Sequence, residues 1–129
     1  MSSLFLIFNH RITPLQKDDA RNSLGIRRII PLPPELQEIW GNIPPDMPDI
    51  AEYIRPIREW LISEARENDF VLIQGDFGAC YLMVCFALEH GVIPVYSTNR
   101  RMACEEHQQE GTVKLVHYFR HEIFRVYGR

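Results

Sequence analysis

Three short polar segments hold the side chains with chemistry to offer: Asn9-His10-Arg11, Gln74-Gly75-Asp76-Phe77-Gly78 and Ser97-Thr98-Asn99-Arg100-Arg101. Each follows an apolar run. His10 can move a proton near neutral pH, and Asn9 can donate to a developing oxyanion. Ser97, Thr98 and Asn99 offer small donors ahead of two guanidinium groups, a set suited to phosphate and ribose oxygens. Gly75 and Gly78 let backbone approach a ligand, and a helix opening at Phe77 presents free N–H groups to an anion. Each segment also has a plainer reading. Asp76 can simply cap that helix, Arg100 and Arg101 can be surface charges, and His10 can be an ordinary loop histidine.

Other chemistries have weaker footing. The glycines form G-x-x-G and not G-x-G-x-x-G, which speaks against a dinucleotide cofactor. His117 and His121 are four apart, with His107 upstream, but the region reads as strand and turn. No acid or cysteine there completes a ligand set, so no metal is expected. Cys80, Cys85 and Cys104 are odd in number and form no C-x-x-C pair, as expected in a reducing compartment. Cys80 and Cys85 read as core residues, with no nearby base to favour a thiolate. Ser23, Ser63 and Ser97 all lie outside a G-x-S-x-G elbow.

The elements that must carry these segments follow from the hydrophobic pattern. Leu4 to Phe8 is a continuous apolar run, the mark of a strand buried on both faces in a parallel sheet. Thr13-Pro14 opens a helix that runs to Leu24 and stops at Gly25. Arg27 to Ile30 is a short strand, and Pro34 starts a short helix through Trp40. A longer helix is expected from an Asp49 cap to about Glu67, with a kink or restart at Pro56. Phe70 to Ile73 is the next buried strand. Phe77 to Glu89 is apolar nearly all round and reads as a buried helix. Val92 to Tyr96 is a strand whose Pro94 indicates an edge position or a strand end. Residues 97–101 are then a loop, and 112–118 and 122–127 pair as a hairpin. The expected fold is a single α/β domain over residues 1–129. It is a three-layer Rossmann-like sandwich with a mostly parallel sheet and a β-rich C-terminal segment. Ligands of such sheets sit outside the carboxyl ends of the strands, and that rule selects the same three polar segments.

Composition agrees. The 129 residues are 46% hydrophobic and 24% charged, which is globular. A net charge of -3 argues against wholesale binding to duplex DNA. Nine acids face three arginines between Pro31 and Asp69, while the rest of the chain holds 11 bases against eight acids. An anionic ligand is therefore steered away from the middle of the sequence. The longest apolar run, Tyr81 to Leu88, is too short to span a bilayer. The opening Met1-Ser2-Ser3-Leu4 lacks a basic n-region, and a cytoplasmic protein is expected.

Taken in order, several stretches resemble one family. They are Leu4-Phe5-Leu6-Ile7-Phe8-Asn9-His10 leading to Thr13, Leu32 to Trp40, and Asn42-Ile43-Pro44-Pro45. Val71 to Ala79, Ile93 to Thr98, Phe119-Arg120-His121 and Phe124 to Tyr127 complete the set. The set resembles the small stand-alone CRISPR-associated proteins of type III systems, with a Rossmann-like fold of the CARF type. The resemblance covers nearly the whole chain. It implies a ring nuclease that binds cyclic oligoadenylate, most often cyclic tetra-adenylate, and cuts it to linear products, turning off the second messenger. It also implies a homodimer with the ligand at the subunit interface, since a symmetric ring suits a symmetric site.

For that chemistry, placement assigns His10 to acid–base work or to orienting the ribose 2′-OH. Asn9 and Gln74 would bond ribose or phosphate. Arg100 or Arg101 would hold phosphate charge, and Gly75 and Gly78 would bring helix N–H groups to it. Arg11, Phe77, Ser97, Thr98 and Asn99 complete the expected ligand-binding set. Asp76 is left between capping and bonding the adenine amino group. No cofactor is expected. Two rival readings are a non-catalytic sensor or sponge for the same ligand, and a subunit-interaction module without nucleotide.

Overall fold

The computed structural model describes residues 2–129. The elements in chain order are β1 (Ser2–Ile7), α1 (Pro14–Leu24), β2 (Ile26–Pro31), α2 (Pro34–Gly41), α3 (Arg55–Glu64), β3 (Phe70–Ile73), α4 (Phe77–Glu89), β4 (Ile93–His107) and β5 (Val113–Val126). The fold is α/β, with one five-stranded sheet in the order β2-β1-β3-β4-β5. The first three neighbouring pairs are parallel, and β4 with β5 is antiparallel.

Helices cover both faces. On one side Ala20 and Leu24 of α1 pack against Leu4, Leu6, Phe8, Leu72, Val95 and Phe124. On the other, Leu36, Trp40, Ile57, Leu61, Met83 and Phe86 from α2, α3 and α4 pack against Phe5, Ile7, Val71 and Ile73. Leu4 to Phe8 is buried throughout, because alternate side chains of a central parallel strand enter two different cores. The chain moves outward from β1 to β2 through α1, then back across β1 to β3 and on to β4. The direction of winding reverses between β1 and β3.

Local signals explain the helix ends. The Thr13 hydroxyl accepts from the Gln16 amide at 3.1 Å, and Gln16 Oε1 accepts from the Thr13 amide at 2.9 Å, a reciprocal capping box. Gly25 ends α1 with φ of 67°, in the left-handed region glycine tolerates. Asp76 caps α4, its Oδ2 accepting from the Ala79 amide at 3.0 Å.

Several expectations are corrected. No helix runs from Asp49 to Glu67. Residues 51–54 form turns, and α3 restarts with Pro56 in its first turn, where a missing N–H costs nothing. Helix α4 is buried on one face only: Phe77 is 94% exposed, and Tyr81 and Leu88 are exposed along the same outer side. Of the two alternatives for Pro94, the strand end holds and the edge does not: it sits second in β4, an interior strand.

The largest difference lies in residues 97–126. The segment 97–101 is strand and not loop, because β4 runs on to His107. Segments 112–118 and 122–127 do not pair with each other. They belong to a single β5 strand that pairs with β4 from Val95↔Val126 to His107↔Val113. Between Ser97↔Phe124 and Asn99↔His121, Thr98 faces two residues, Glu122 and Ile123, in a β-bulge. Thr98 Oγ1 fills it, accepting from the Ile123 amide and donating to the Ile123 carbonyl, both at 3.1 Å. Beyond the bulge the hairpin is a two-stranded ribbon, exposed over nearly all its length. Among the described residues no helix is long and apolar enough to cross a membrane.

Candidate functional site

The reversal of winding leaves a crevice at the carboxyl ends of β1 and β3, the place where open α/β sheets hold ligands. Asn9 and His10 lie just past β1, and Gln74 and Gly75 lie just past β3. The Gln74 amide donates to the Ile7 carbonyl at 3.1 Å, which locks the two exits side by side. Ser97, on β4, joins them: its amide donates to Gln74 Oε1 at 2.7 Å. Asn9, Gln74 and Ser97 therefore converge at one end of the sheet, as their positions in the sequence indicate.

Beneath them lies Trp40, almost fully buried, whose Nε1 donates to the Gln74 carbonyl at 2.9 Å. A Cβ on Gly75 would stand 2.8 Å from that nitrogen, so only glycine fits over the indole. A Cβ on Gly41 would stand 3.3 Å from Asn9 Oδ1, so the end of α2 closes on the Asn9 side chain. Gln37 Nε2 donates to the Phe8 carbonyl at 3.0 Å and ties α2 to the exit of β1.

Two clefts flank this ridge. On the β1 side a cleft of about 950 Å³ is lined by Asn9, His10, Arg11, Lys17, Arg21 and Gln37, over an apolar floor that includes Leu6, Ile29 and Leu32. Its ionisable lining is His10, Arg11, Lys17 and Arg21, with no carboxylate. Lys17 and Arg21 are four apart on α1 and so share a helical face. The sequence reading passed over both. Their spacing, on the helix that directly follows His10, was the available signal. His10 is exposed and stands edge-on to Phe8, ring centroids 6.2 Å apart.

On the α4 side a cleft of about 420 Å³ is lined by Gln74, Gly75, Phe77, Cys80, Tyr81, Val84, Tyr96 and Tyr127. Tyr96 and Tyr127 rings lie 4.8 Å apart, and Arg125 donates to the Tyr96 hydroxyl at 3.0 Å. The Tyr127 hydroxyl donates to the Ile73 carbonyl at 2.5 Å, and burial pushes its pKa up to about 12. Burial likewise raises the Cys80 thiol to about 11, which keeps it protonated and unreactive. Asp76 acts as the helix cap, and its carboxylate takes the place at the start of α4 where an anion would otherwise sit.

The rest of the third segment serves the ribbon. Arg100 makes a two-point contact with Glu122 at 3.1 and 3.2 Å, which raises the arginine pKa and lowers that of the acid. Asn99, Arg100 and Arg101 run along the exposed strand, adjacent residues on opposite faces, and do not close over Gln74 as a loop would.

Sequence reading also missed a buried polar chain behind Ser97. His121 is 8% exposed and Ser97 6%. His121 Nδ1 meets Ser97 Oγ at 2.5 Å, and Nε2 meets Asp19 Oδ2 at 2.7 Å. Gln16 Nε2 donates to Ser97 Oγ at 3.3 Å, and Ser23 donates to Asp19 Oδ1 at 2.6 Å. Burial acts to raise the Asp19 carboxyl, but the bonds from Ser23 and His121 outweigh it and hold the group below its ordinary value. The residue types are those of a serine–histidine–acid triad. Ser97 is sealed from solvent, however, which suits a hydroxyl that holds neighbours in place and not one that attacks a substrate.

Comparison with known proteins places the chain. Residues 2–125 match the model of the family described as "Uncharacterized protein MJ1673 family". The chain belongs to this family. It is also 48% identical over 128 residues to the protein named "Uncharacterized protein MJ1673" from Methanocaldococcus jannaschii, covering 99% of this chain and 98% of that one. No solved structure matches. The family match takes in Asp19, His121 and all the residues that line the two clefts except Tyr127. Among the described residues, no group of three His, Cys, Asp or Glu side chains is arranged to hold a metal ion.

Proposed function

We propose that this chain is a ring nuclease of the CARF type that binds and cleaves cyclic oligoadenylate, the tetra-adenylate ring above all. In this reading it ends type III CRISPR signalling in the cytoplasm. The observation that carries the proposal is the crevice itself. A cleft whose ionisable lining is cationic apart from a titratable histidine lies across Gln74 from a cleft lined by four aromatic side chains. Phosphodiesters suit the first, and purine faces suit the second.

The reaction needs no group beyond the ring and the protein. A ribose 2′-OH attacks its own 3′-phosphorus in line, the bond to the 5′-oxygen breaks, and a 2′,3′-cyclic phosphate and a 5′-hydroxyl remain. One proton leaves the 2′-oxygen and one joins the 5′-oxygen. His10 takes the acid–base role. Arg11, Lys17 and Arg21 hold phosphate charge, a part the sequence alone gave to Arg100 or Arg101. Asn9 and the Gln74 amide bond ribose or phosphate oxygens as the phosphorane forms. Phe77, 94% exposed beside Gly75, offers a face for stacking. Its exposure, with that of Tyr81 and Leu88, also supports a homodimer that covers this side of α4 and closes the ring between two copies.

The test is incubation of the pure protein with labelled cyclic tetra-adenylate in EDTA. Linear product supports the proposal. Retention of intact ligand would make the protein a sensor or sponge. Absence of both would favour a subunit-interaction module. Cleavage lost in EDTA and restored by magnesium or manganese would replace the metal-independent step with a metal-assisted one.

A further inference from the structure

The chain Asp19–His121–Ser97 ends at Gln74, and we infer that His121 is a positioning residue that sets the Gln74 amide for the crevice. This rests on the proposed function only for what Gln74 then does. Gln74 Oε1 is held by the Ser97 amide at 2.7 Å, which fixes the side-chain amide so that its NH₂ is the end presented to the cleft. Ser97 is in turn held through its hydroxyl. A carboxylate only accepts, so His121 Nε2 carries a proton toward Asp19, and Nδ1 is the ring atom that meets the Ser97 hydroxyl. Ser97 Oγ then accepts from Gln16, and every member of the chain is satisfied.

The placement of Ser97 explains why such a chain is built there. Ser97 sits one residue before the Thr98 bulge, where β4 leaves the parallel sheet and becomes the ribbon. Bulges twist and bend a strand, so the backbone that holds Gln74 lies at the least regular point of β4. His121, opposite Asn99, ties that point to α1 from across the hairpin. Ser97 is touched directly by His121 of β5 and Gln16 of α1, with Asp19 and Ser23 one step behind, so the contact of His121 to Ser97 is the one that fixes the backbone amide at the site.

Two substitutions separate the two ends of the imidazole. In His121→Asn the amide occupies the place of Nδ1 and keeps the contact to Ser97. In His121→Gln the amide nitrogen reaches the place of Nε2 and keeps the contact to Asp19. The inference expects His121→Asn to retain kcat on cyclic tetra-adenylate within a few-fold. It expects His121→Gln to lose roughly 10- to 100-fold in kcat with KM little changed, the scale of a misplaced group. A purely structural role would instead make both losses follow the fall in Tm, and that result would overturn the inference. A second readout is independent of activity. The Gln74 side-chain amide, followed by NMR, should stay resolved and protected in His121→Asn and move to free-glutamine values in His121→Gln. An unchanged Gln74 signal in both variants would also overturn it. Wild-type protein inactive on the ring would sink the nuclease reading, while the Gln74 signal would still decide the positioning role.

Discussion

The cleft beside β1 and the cleft beside α4 flank the ridge of Asn9 and Gln74, the first bounded by Asn9 and the second by Gln74, and they share no lining residue. The first gathers His10, Arg11, Lys17 and Arg21 on a loop and a helix face, all solvent-reachable and uncompensated by any acid in the lining. The second is a tyrosine-rich hollow with a neutral, high-pKa thiol and a phenol anchored to backbone. The difference teaches how the proposed ligand would be divided. The β1 side offers cationic and proton-carrying side chains, and the α4 side offers flat apolar surface. A ligand that needs both must lie across the ridge, against Asn9, Gln74 and Gly75.

That division can be broken most sharply at His10. Replacing His10 by Ala should slow single-turnover cleavage ~10²–10⁴-fold while leaving equilibrium binding nearly intact, as for a positioned acid or base. Equal losses in rate and affinity would move His10 to the binding set. Next comes the cationic wall. Lys17→Ala with Arg21→Ala should weaken cyclic tetra-adenylate binding about 10²-fold at low salt, each charge-assisted contact contributing ~1.5 kcal/mol or more. The same double variant should show a flatter salt dependence of affinity. Unchanged affinity would leave the cleft without its assigned role.

The α4 side should respond in a different currency. Phe77→Ala should reduce affinity about 10-fold, with no change in salt dependence, since base stacking contributes ~1–3 kcal/mol. Sedimentation of the same variant tells whether the ring also serves subunit contact. The smallest effect is expected at Arg100. Its guanidinium is committed to Glu122 on the exposed ribbon, so Arg100→Ala should change affinity by less than about 3-fold. A loss as large as that of Lys17 and Arg21 would return phosphate binding to the ribbon and undo the contrast between the two clefts.

Much of the frame was legible because burial writes itself into sequence. Leu4 to Phe8 and Phe70 to Ile73 are apolar runs that only a doubly covered sheet explains, and Thr13, Pro14, Gln16 and Gly25 mark both ends of α1. The crevice followed from those elements, which is why Asn9, Gln74 and Ser97 were found together. The ribbon was hidden for the opposite reason. Residues 99–107 are solvated on both faces, so no alternation records the strand, and their polarity reads as a loop. The ion pair of Arg100 was hidden with it, because its partner Glu122 is visible only once β4 and β5 are in register. The buried chain was missed because Asp19 and His121 are 102 residues apart. One sign was present: Asp19 lies next to Ala20 on the sheet-facing side of α1, where an acid needs a partner.

The central place of β1 also governs the order in which the molecule can be completed. The strand made first is flanked by β2 on one side and by β3, more than 60 residues later, on the other. As the chain grows past these elements, β1, α1 and β2 can form a local unit and α2 and α3 can cover the second face of β1, but one edge of β1 stays open until Phe70 to Ile73 arrive. During that interval the apolar run Leu4 to Phe8 is a sticky, unpaired template. The long β4–β5 hairpin, whose partners are near neighbours in sequence, closes quickly once made. Assembly thus waits on the oldest strand and finishes fast on the youngest.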